Sequence, residues 1–120
     1  MSELDAEDAK LVVLARAARG RAYTPHGQGR IEGAAARDTD GRTYTAATVE
    51  HADPALTTSA LRGAVAAAAS SGARSFEAAV IVTDVAMACA EDVALLREFG
   101  AGVPLIVADA SGEVVSSQPT

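Results

Sequence analysis

Two short segments of this sequence carry the residue types that could do chemistry. The first is 57–62, where a polar loop leads into an Ala-rich stretch, and the second is 88–92, which opens the next predicted helix. Unpaired N–H groups and the helix dipole both favour negative charge at a helix N-terminus. If the two N-termini face one another, they make a site for an anion or for a metal held by thiolates.

Cys89 is the only cysteine in the chain. It therefore cannot form an internal disulfide, and by itself it cannot build a multi-cysteine zinc site. At a helix N-terminus its thiol could have a depressed pKa and react as a thiolate. Because it shares an apolar stripe with Val93 and Leu96, the alternative is a small core residue, which is the commoner role for such a cysteine.

The composition favours one domain, residues 1–120, with a core of small aliphatic side chains. Of the 120 residues 49% are hydrophobic, yet there are only two Tyr, two Phe and no Trp. The net charge of -6 opposes binding to nucleic acid and to anionic membranes. The acidic N-terminus does not resemble a signal peptide, and no apolar run approaches the length of a membrane span. We therefore predict a cytoplasmic protein whose partners are small molecules or proteins.

The first half of the chain predicts a helix followed by a β-hairpin. Asp5 is a suitable N-cap, and apolar residues follow it at helical spacing. A first strand is predicted over 31–37 and a return strand over 43–49. The Asp-Gly pair at 40–41 between them is typical of a tight hairpin turn.

The second half predicts helices that alternate with buried strands. Thr57 or Thr58 can cap a helix that runs to about Ser71. Continuous apolar runs at 78–82 and 103–108 are typical of strands buried on both faces, with a helix that starts near Cys89 between them.

A short last strand at 113–115 and a polar tail at about 116–120 complete the predicted order. This order predicts an α/β fold of three layers, α/β/α, around a mixed sheet of five strands or slightly fewer.

Several motifs, in the same order along residues 11 to 110, resemble those of the small homotetrameric cytidine deaminases. The matching segments are Ala22-Tyr23-Thr24-Pro25-His26, Gly33-Ala34-Ala35, Asp40-Gly41-Arg42-Thr43-Tyr44, Thr48-Val49-Glu50-His51, Ser75-Phe76-Glu77, Val82-Thr83-Asp84 and Glu98-Phe99-Gly100. The resemblance implies the cytidine deaminase fold and a homo-oligomer, either a tetramer or a dimer.

In that family a Cys/His-Ala-Glu motif and a Pro-Cys-x-x-Cys motif hold zinc, and the Glu moves protons between the zinc-bound water and the base. The resemblance places Ser59 at the first ligand position and Leu61 at the position of the Glu. Cys89 and Asp92 fall on the other two ligand positions. Only Cys89 remains a thiol, and Leu61 cannot carry a proton. No zinc, no other cofactor and no confident catalytic residue are therefore expected.

The resemblance also places two residues where the family binds the nucleoside. Glu50 matches the acidic residue that hydrogen-bonds the ribose, and Thr48 replaces its Asn partner. Both are candidate ligand-binding residues, although Glu50 could instead be a solvated loop carboxylate. His26 falls on a family Tyr and has no assigned role. Arg62 keeps a family arginine, and one hypothesis is that it pairs with Asp92 in place of the metal.

Three hypotheses follow from this resemblance. The leading one is a protein without deaminase activity that binds a nucleoside or another small polar molecule, or that serves as an oligomeric structural subunit. The alternative is an active hydrolase of the family whose site is remodelled around Cys89, Asp92 and His51, although a loop histidine is usually only solvated. The third is a subunit that joins an active deaminase in a mixed tetramer.

Overall fold

A computed structural model describes residues 4–120. The elements in chain order are α1 (Ala6–Arg19), β1 (Gly33–Asp38), β2 (Thr43–Ala47), α2 (Ala60–Ser70), β3 (Phe76–Val82), α3 (Ala90–Arg97), β4 (Pro104–Ala108) and β5 (Val114–Pro119). The strands form one five-stranded sheet in the order β2-β1-β3-β4-β5. The pairing of β3 with β4 is parallel and the other pairings are antiparallel, which confirms the predicted mixed sheet.

The helices cover the sheet on two faces. Successive residues of a strand point to opposite faces, so Ala35 packs in a cluster with α1 whereas Ala34 and Ala36 pack in a second cluster with α2 and α3. Alanines along β1 let both helix layers approach closely. At Gly33 the approach is so tight that a Cβ would collide with the α1 backbone at Ala15 and Arg19. The three-layer prediction is therefore confirmed.

The α2 helix begins later than predicted. Its N-cap is Ser59, whose hydroxyl accepts the Arg62 N–H at 3.2 Å. The two threonines predicted as caps have other partners. The backbone of Thr58 pairs with that of Val49, and the Thr57 hydroxyl accepts the N–H of His51. The polar loop before α2 is thus held to the rest of the fold by its own hydrogen bonds.

The hairpin strands are shorter than predicted, since β1 begins at Gly33 and β2 ends at Ala47. The last strand is longer, because β5 takes in residues 116–119, which the sequence predicts as a tail. These polar residues pair with β4 at the edge of the sheet, where alternate side chains can stay in water. Thr120 fixes the end of β5, since its hydroxyl donates to the Val103 carbonyl.

The first helix agrees with its predicted start, because the Asp5 carboxylate accepts the Asp8 N–H at 2.8 Å. Within residues 4–120, no helix is both long enough and apolar enough to cross a membrane.

Candidate functional site

The N-termini of α2 and α3 lie side by side, as the sequence predicts. Their N-caps are Ser59 and Cys89, and the Ser59 hydroxyl donates to Oδ1 of Asp92 at 3.3 Å. An open cleft of about 650 Å³ adjoins the two helix ends, and we call it the cleft. Its charged lining residues are Arg30, Glu32, Arg62, Glu91 and Asp92. The structure therefore brings Ser59, Cys89 and Asp92 to one polar cavity.

The Asp92 carboxylate contacts the side chains of both Ser59 and Cys89, and this combination of groups does not fit zinc. Burial raises the pKa of Asp92, and the contacts with Cys89 and Ser59 offset only part of that rise. Burial also raises the pKa of Cys89, and the carboxylates of Asp92 and Glu91 oppose loss of its proton. Zinc is held best by several thiolate or imidazole ligands, whereas this site offers one thiol, one carboxylate and one neutral hydroxyl, which is a poor ligand for it. Nowhere in residues 4–120 do three or more His, Cys, Asp or Glu side chains cluster in a way that could hold a metal.

Leu61, which the sequence resemblance places at the family's proton-carrying position, is fully buried. It belongs to the core cluster between α2 and the sheet, together with Val65 and Leu105, and it does not line the cleft. The side chain therefore contributes to packing and supplies no group that could transfer a proton in the cleft.

Glu50 is not a solvated loop carboxylate, because only 1% of the residue is exposed. One of its oxygens accepts the N–H of His26 at 2.5 Å, and the other accepts those of Gln28 and Gly29, both at 2.7 Å. Burial alone would raise the pKa of Glu50, but these backbone hydrogen bonds outweigh it and lower the pKa. Glu50 thus fixes the 26–29 loop, and Gly29 of that loop lines the cleft.

Thr48 is buried and lines the cleft. Its hydroxyl donates to the Arg30 carbonyl at 2.7 Å and accepts the Glu32 N–H at 3.1 Å. These bonds hold the segment that carries Arg30 and Glu32 along the wall of the cleft. Both predicted ligand-binding residues therefore position backbone around the cleft.

A Glu50→Gln substitution is expected to lower the melting temperature by several degrees at pH 7, because an amide offers one acceptor oxygen in place of two. The lowered pKa means that the carboxylate stabilises the fold above its ordinary pKa of 4.5 and loses this effect as the pH falls through the folded-state value. The difference between the two proteins should therefore shrink below pH 4.5. Thermal melts across pH check this, with the exposed Glu98→Gln as control; equal melting temperatures at pH 7 would contradict it.

Two other predicted roles fail in the structure. Arg62 is exposed and forms no ion pair within residues 4–120, so the expected pairing with Asp92 is wrong. The cation that favours the charged form of Asp92 is Arg30. His51 is exposed and does not line the cleft, so the structure does not bring it together with Cys89 and Asp92.

Glu32 is the site residue that sequence reasoning missed. Only 5% of it is exposed, and its Oε2 accepts the hydroxyl of Thr83 at 2.9 Å. Burial raises the pKa of Glu32, and the charge of Asp92 raises it further, while Thr83 and Arg30 offset part of the rise. The sequence held a signal, because Glu32 shares strand parity with Ala34 and Ala36, which face α2. An acidic residue in line with that apolar face, directly before β1 begins, indicates a polar cavity at this end of the strand.

The fold and the paired helix ends define an α/β/α protein with a polar cleft where two helix N-termini meet. A family model described as cytidine deaminase-like matches residues 4–112, and the chain belongs to that family. A search of curated protein sequences gave no significant match.

Solved cytidine deaminases share this fold over nearly their whole length. The enzyme from Burkholderia pseudomallei superimposes with a TM-score of 0.82 at 27% identity, covering 92% of this chain and 90% of that one. The Mycobacterium tuberculosis protein gives 0.73 at 30% identity, covering 88% and 85%. The Mycobacterium leprae protein gives 0.76 at 26% identity, covering 98% and 94%.

Proposed function

We propose that this chain is a cytidine deaminase-like protein that has lost deaminase chemistry and binds a small polar molecule in the cleft. The observation that carries the proposal is Leu61, which occupies the position of the family's proton-carrying Glu and is fully buried in the core. General acid–base catalysis contributes about two to four orders of magnitude in rate, and an aliphatic side chain can contribute none of it.

The remaining polar groups support the same proposal. Ser59 and Asp92 bond to one another, and the thiol of Cys89 is held in its protonated form by burial and by neighbouring carboxylates. In this proposal the cleft therefore offers no competent set of zinc ligands. At the family position it also offers no group that could accept a proton from water. We assign no step of hydrolysis to these residues.

The cleft itself supports ligand binding. Its volume of about 650 Å³ is sufficient for a small molecule, and charged groups of both signs converge on it. Thr48 and Glu50 contribute indirectly in this proposal, because their hydrogen bonds set the positions of Arg30 and of Gly29. The cleft is thus a preorganised polar site, with a rigid wall on the side of residues 29–32.

Two assays test the proposal together. With zinc supplied, the purified protein is expected to convert no cytidine to uridine above the uncatalysed rate. In NMR titrations, a small polar ligand such as cytidine or uridine should shift the amide signals of cleft residues, with Gly72, an exposed turn residue, as the internal reference. Turnover of cytidine would overturn the loss of chemistry. Absence of any shift across a panel of nucleosides and small polar molecules would overturn the binding role.

Self-association as a homotetramer or dimer is part of the proposal. Its support is the exposure of large apolar side chains, among them Tyr23, Val49 and Leu56, whose burial in a subunit contact would be favourable. Tyr23 and Val49 lie on adjacent backbone segments. A mixed assembly with an active deaminase, the cytoplasmic location and the lack of nucleic-acid and membrane partners stay predictions.

The remodelled hydrolase stays the alternative to this proposal. It requires a reactive group in the cleft, and Cys89 carries the thiol at the helix ends. Burial raises the pKa of this thiol, which disfavours the thiolate that such chemistry needs. His51, the third residue of the predicted remodelled site, lies outside the cleft lining. The binding role is therefore the better supported of the two.

A further inference from the structure

We infer that the free edge of β2 is an interaction surface for a second copy of this chain, with the two β2 strands paired antiparallel about a two-fold axis at Thr45. The pairing joins the five-stranded sheets of the two subunits into one continuous sheet. The inference rests on the self-association in the proposed function and adds to it the contact surface and the register.

The first observation is the direction of the backbone groups of β2, which lies at one end of the sheet and pairs with β1. The Asp38 N–H of β1 donates to the Arg42 carbonyl at 2.9 Å. In a regular antiparallel pair such bonds recur at every second residue. The N–H and C=O groups of Thr43, Thr45 and Ala47 therefore point away from β1. Thr43 is exposed and the other two residues are half-buried.

The second observation is the difference between the two edges of the sheet. Natural edge strands are commonly protected by a proline, a charged side chain or a β-bulge. At the other end of the sheet, β5 contains Pro119 and has a register shift against β4 between Val107 and Ala108. The strand Thr43–Ala47 contains no proline and no charged residue, and its register with β1 is regular. Its free edge is thus open to another strand.

The outward groups of β2 are complementary to themselves. A two-fold axis at Thr45 places this residue opposite Thr45 of the second copy, and it places Thr43 opposite Ala47 of that copy. Each of these is a pair that exchanges both of its hydrogen bonds, so every outward N–H meets a C=O of opposite partial charge. The side chains are small, and a Thr–Thr pair across two strands is favourable. A second copy of this chain therefore satisfies the whole free edge at once.

The segment after β2 sets the end of the pairing. Val49 and Thr58 exchange backbone hydrogen bonds of 3.0 and 2.9 Å on the outward side, so the same edge already accepts an extended segment there. At this point the hairpin of the second copy turns back to its own β1 and does not have to pass Thr58. Leu56, which is 60% exposed, precedes that segment. Its burial adds apolar contact at each end of the paired strands.

The first experiment measures the dissociation constant of the self-associated full chain by analytical ultracentrifugation. Thr45→Pro removes an outward N–H from each copy and leaves the bonds to β1 in place, and proline is tolerated on edge strands in this orientation. The dissociation constant should rise roughly tenfold. The control is Ser117→Pro on the edge of β5, which should change it less than about twofold. Equal effects of the two prolines would overturn the inference.

A second experiment tests the register and does not depend on the proline variant. Thr45→Lys and Thr45→Glu each place like charges opposite one another at the two-fold axis, so each variant alone should associate more weakly than the unmodified chain. An equimolar mixture pairs lysine with glutamate and should recover the association. A mixture no more associated than its separate components would refute pairing of residue 45 with itself.

The outcomes also separate this inference from the proposed function. If the unmodified chain self-associates but the variants at Thr45 behave like Ser117→Pro, another surface forms the contact; the self-association stands and the role of β2 is wrong. If the unmodified chain stays monomeric at every concentration, the self-association and this inference both fail. The binding role of the cleft is decided separately, by the nucleoside titrations.

Discussion

Replacing Ser59 and Asp92 together with cysteine is expected to give a chain that binds one zinc ion. The variant would place three thiols around the point where α2 and α3 begin, because the side chains of Ser59 and Asp92 are already in contact and Cys89 is the N-cap of α3. Zinc bound by three thiolates can complete its four-coordinate shell with water. Structural zinc sites in small peptides contribute about 10–16 kcal/mol of binding free energy, so the gain over the unmodified chain should be large.

Equilibrium dialysis followed by elemental analysis measures this gain. The matched control is Ser70→Cys with Ser117→Cys, which adds two cysteines at exposed positions away from the helix N-termini. The double variant should retain zinc against a weak chelator, and the control should not. Equal zinc retention by the two would mean that the helix ends do not provide the geometry of a metal site.

A Leu61→Glu substitution is expected to destabilise the fold by about 3–5 kcal/mol, as an uncompensated charge in a protein core does. Leu61 is fully buried, in the same cluster as Val65 and Leu105. Restoring the family's acidic residue type by itself should therefore not restore activity. It should instead remove a large part of the marginal stability of a domain of this size.

Urea unfolding at neutral pH measures the effect. Leu61→Met is the control, since a swap between apolar side chains of similar volume costs less than about 1.5 kcal/mol. A glutamate variant as stable as the methionine variant would show that the side chain at this position can turn into the cleft. That result would remove the structural argument against proton transfer from residue 61.

The fold could be predicted from the sequence because its strongest patterns are local. The apolar runs around Val80 and Ile106 are short and continuous, which is typical of strands buried on both faces. Such strands require helices on both sides of the sheet. The start of α2 could not be placed, because three consecutive hydroxyl residues, Thr57, Thr58 and Ser59, are all good N-caps. Tertiary hydrogen bonds to Val49 and His51 decide among them.

Only part of the site could be predicted from the sequence. The family resemblance placed Ser59, Cys89 and Asp92 together, and the structure does bring them to one cleft. The partners of buried charges could not be read from sequence order. Arg62 lines the same cleft but is exposed and forms no ion pair with Asp92, whereas Arg30, from another segment, favours the charged form of Asp92. Glu50 meets the 26–29 loop only because the chain folds back over 21 or more residues.

The proposal separates the fold of this protein from its chemistry. The α/β/α scaffold and the adjacent helix N-termini match those expected of the family, while the side chains at the helix ends bond to one another. Leu61, at the position that the resemblance assigns to the proton carrier, is buried. A polar cleft of this kind can keep a binding role after its reactive groups are gone, because binding and bond cleavage depend on different residues.

We propose that the native side chains at the two helix ends cannot hold zinc, and the zinc content of the unmodified protein is the decisive measurement. The purified chain is incubated with zinc, dialysed against a weak chelator and analysed for metal, with Cys89→Ser analysed in parallel. Neither protein is expected to retain zinc. One zinc ion per chain in the unmodified protein, lost on Cys89→Ser, would contradict it.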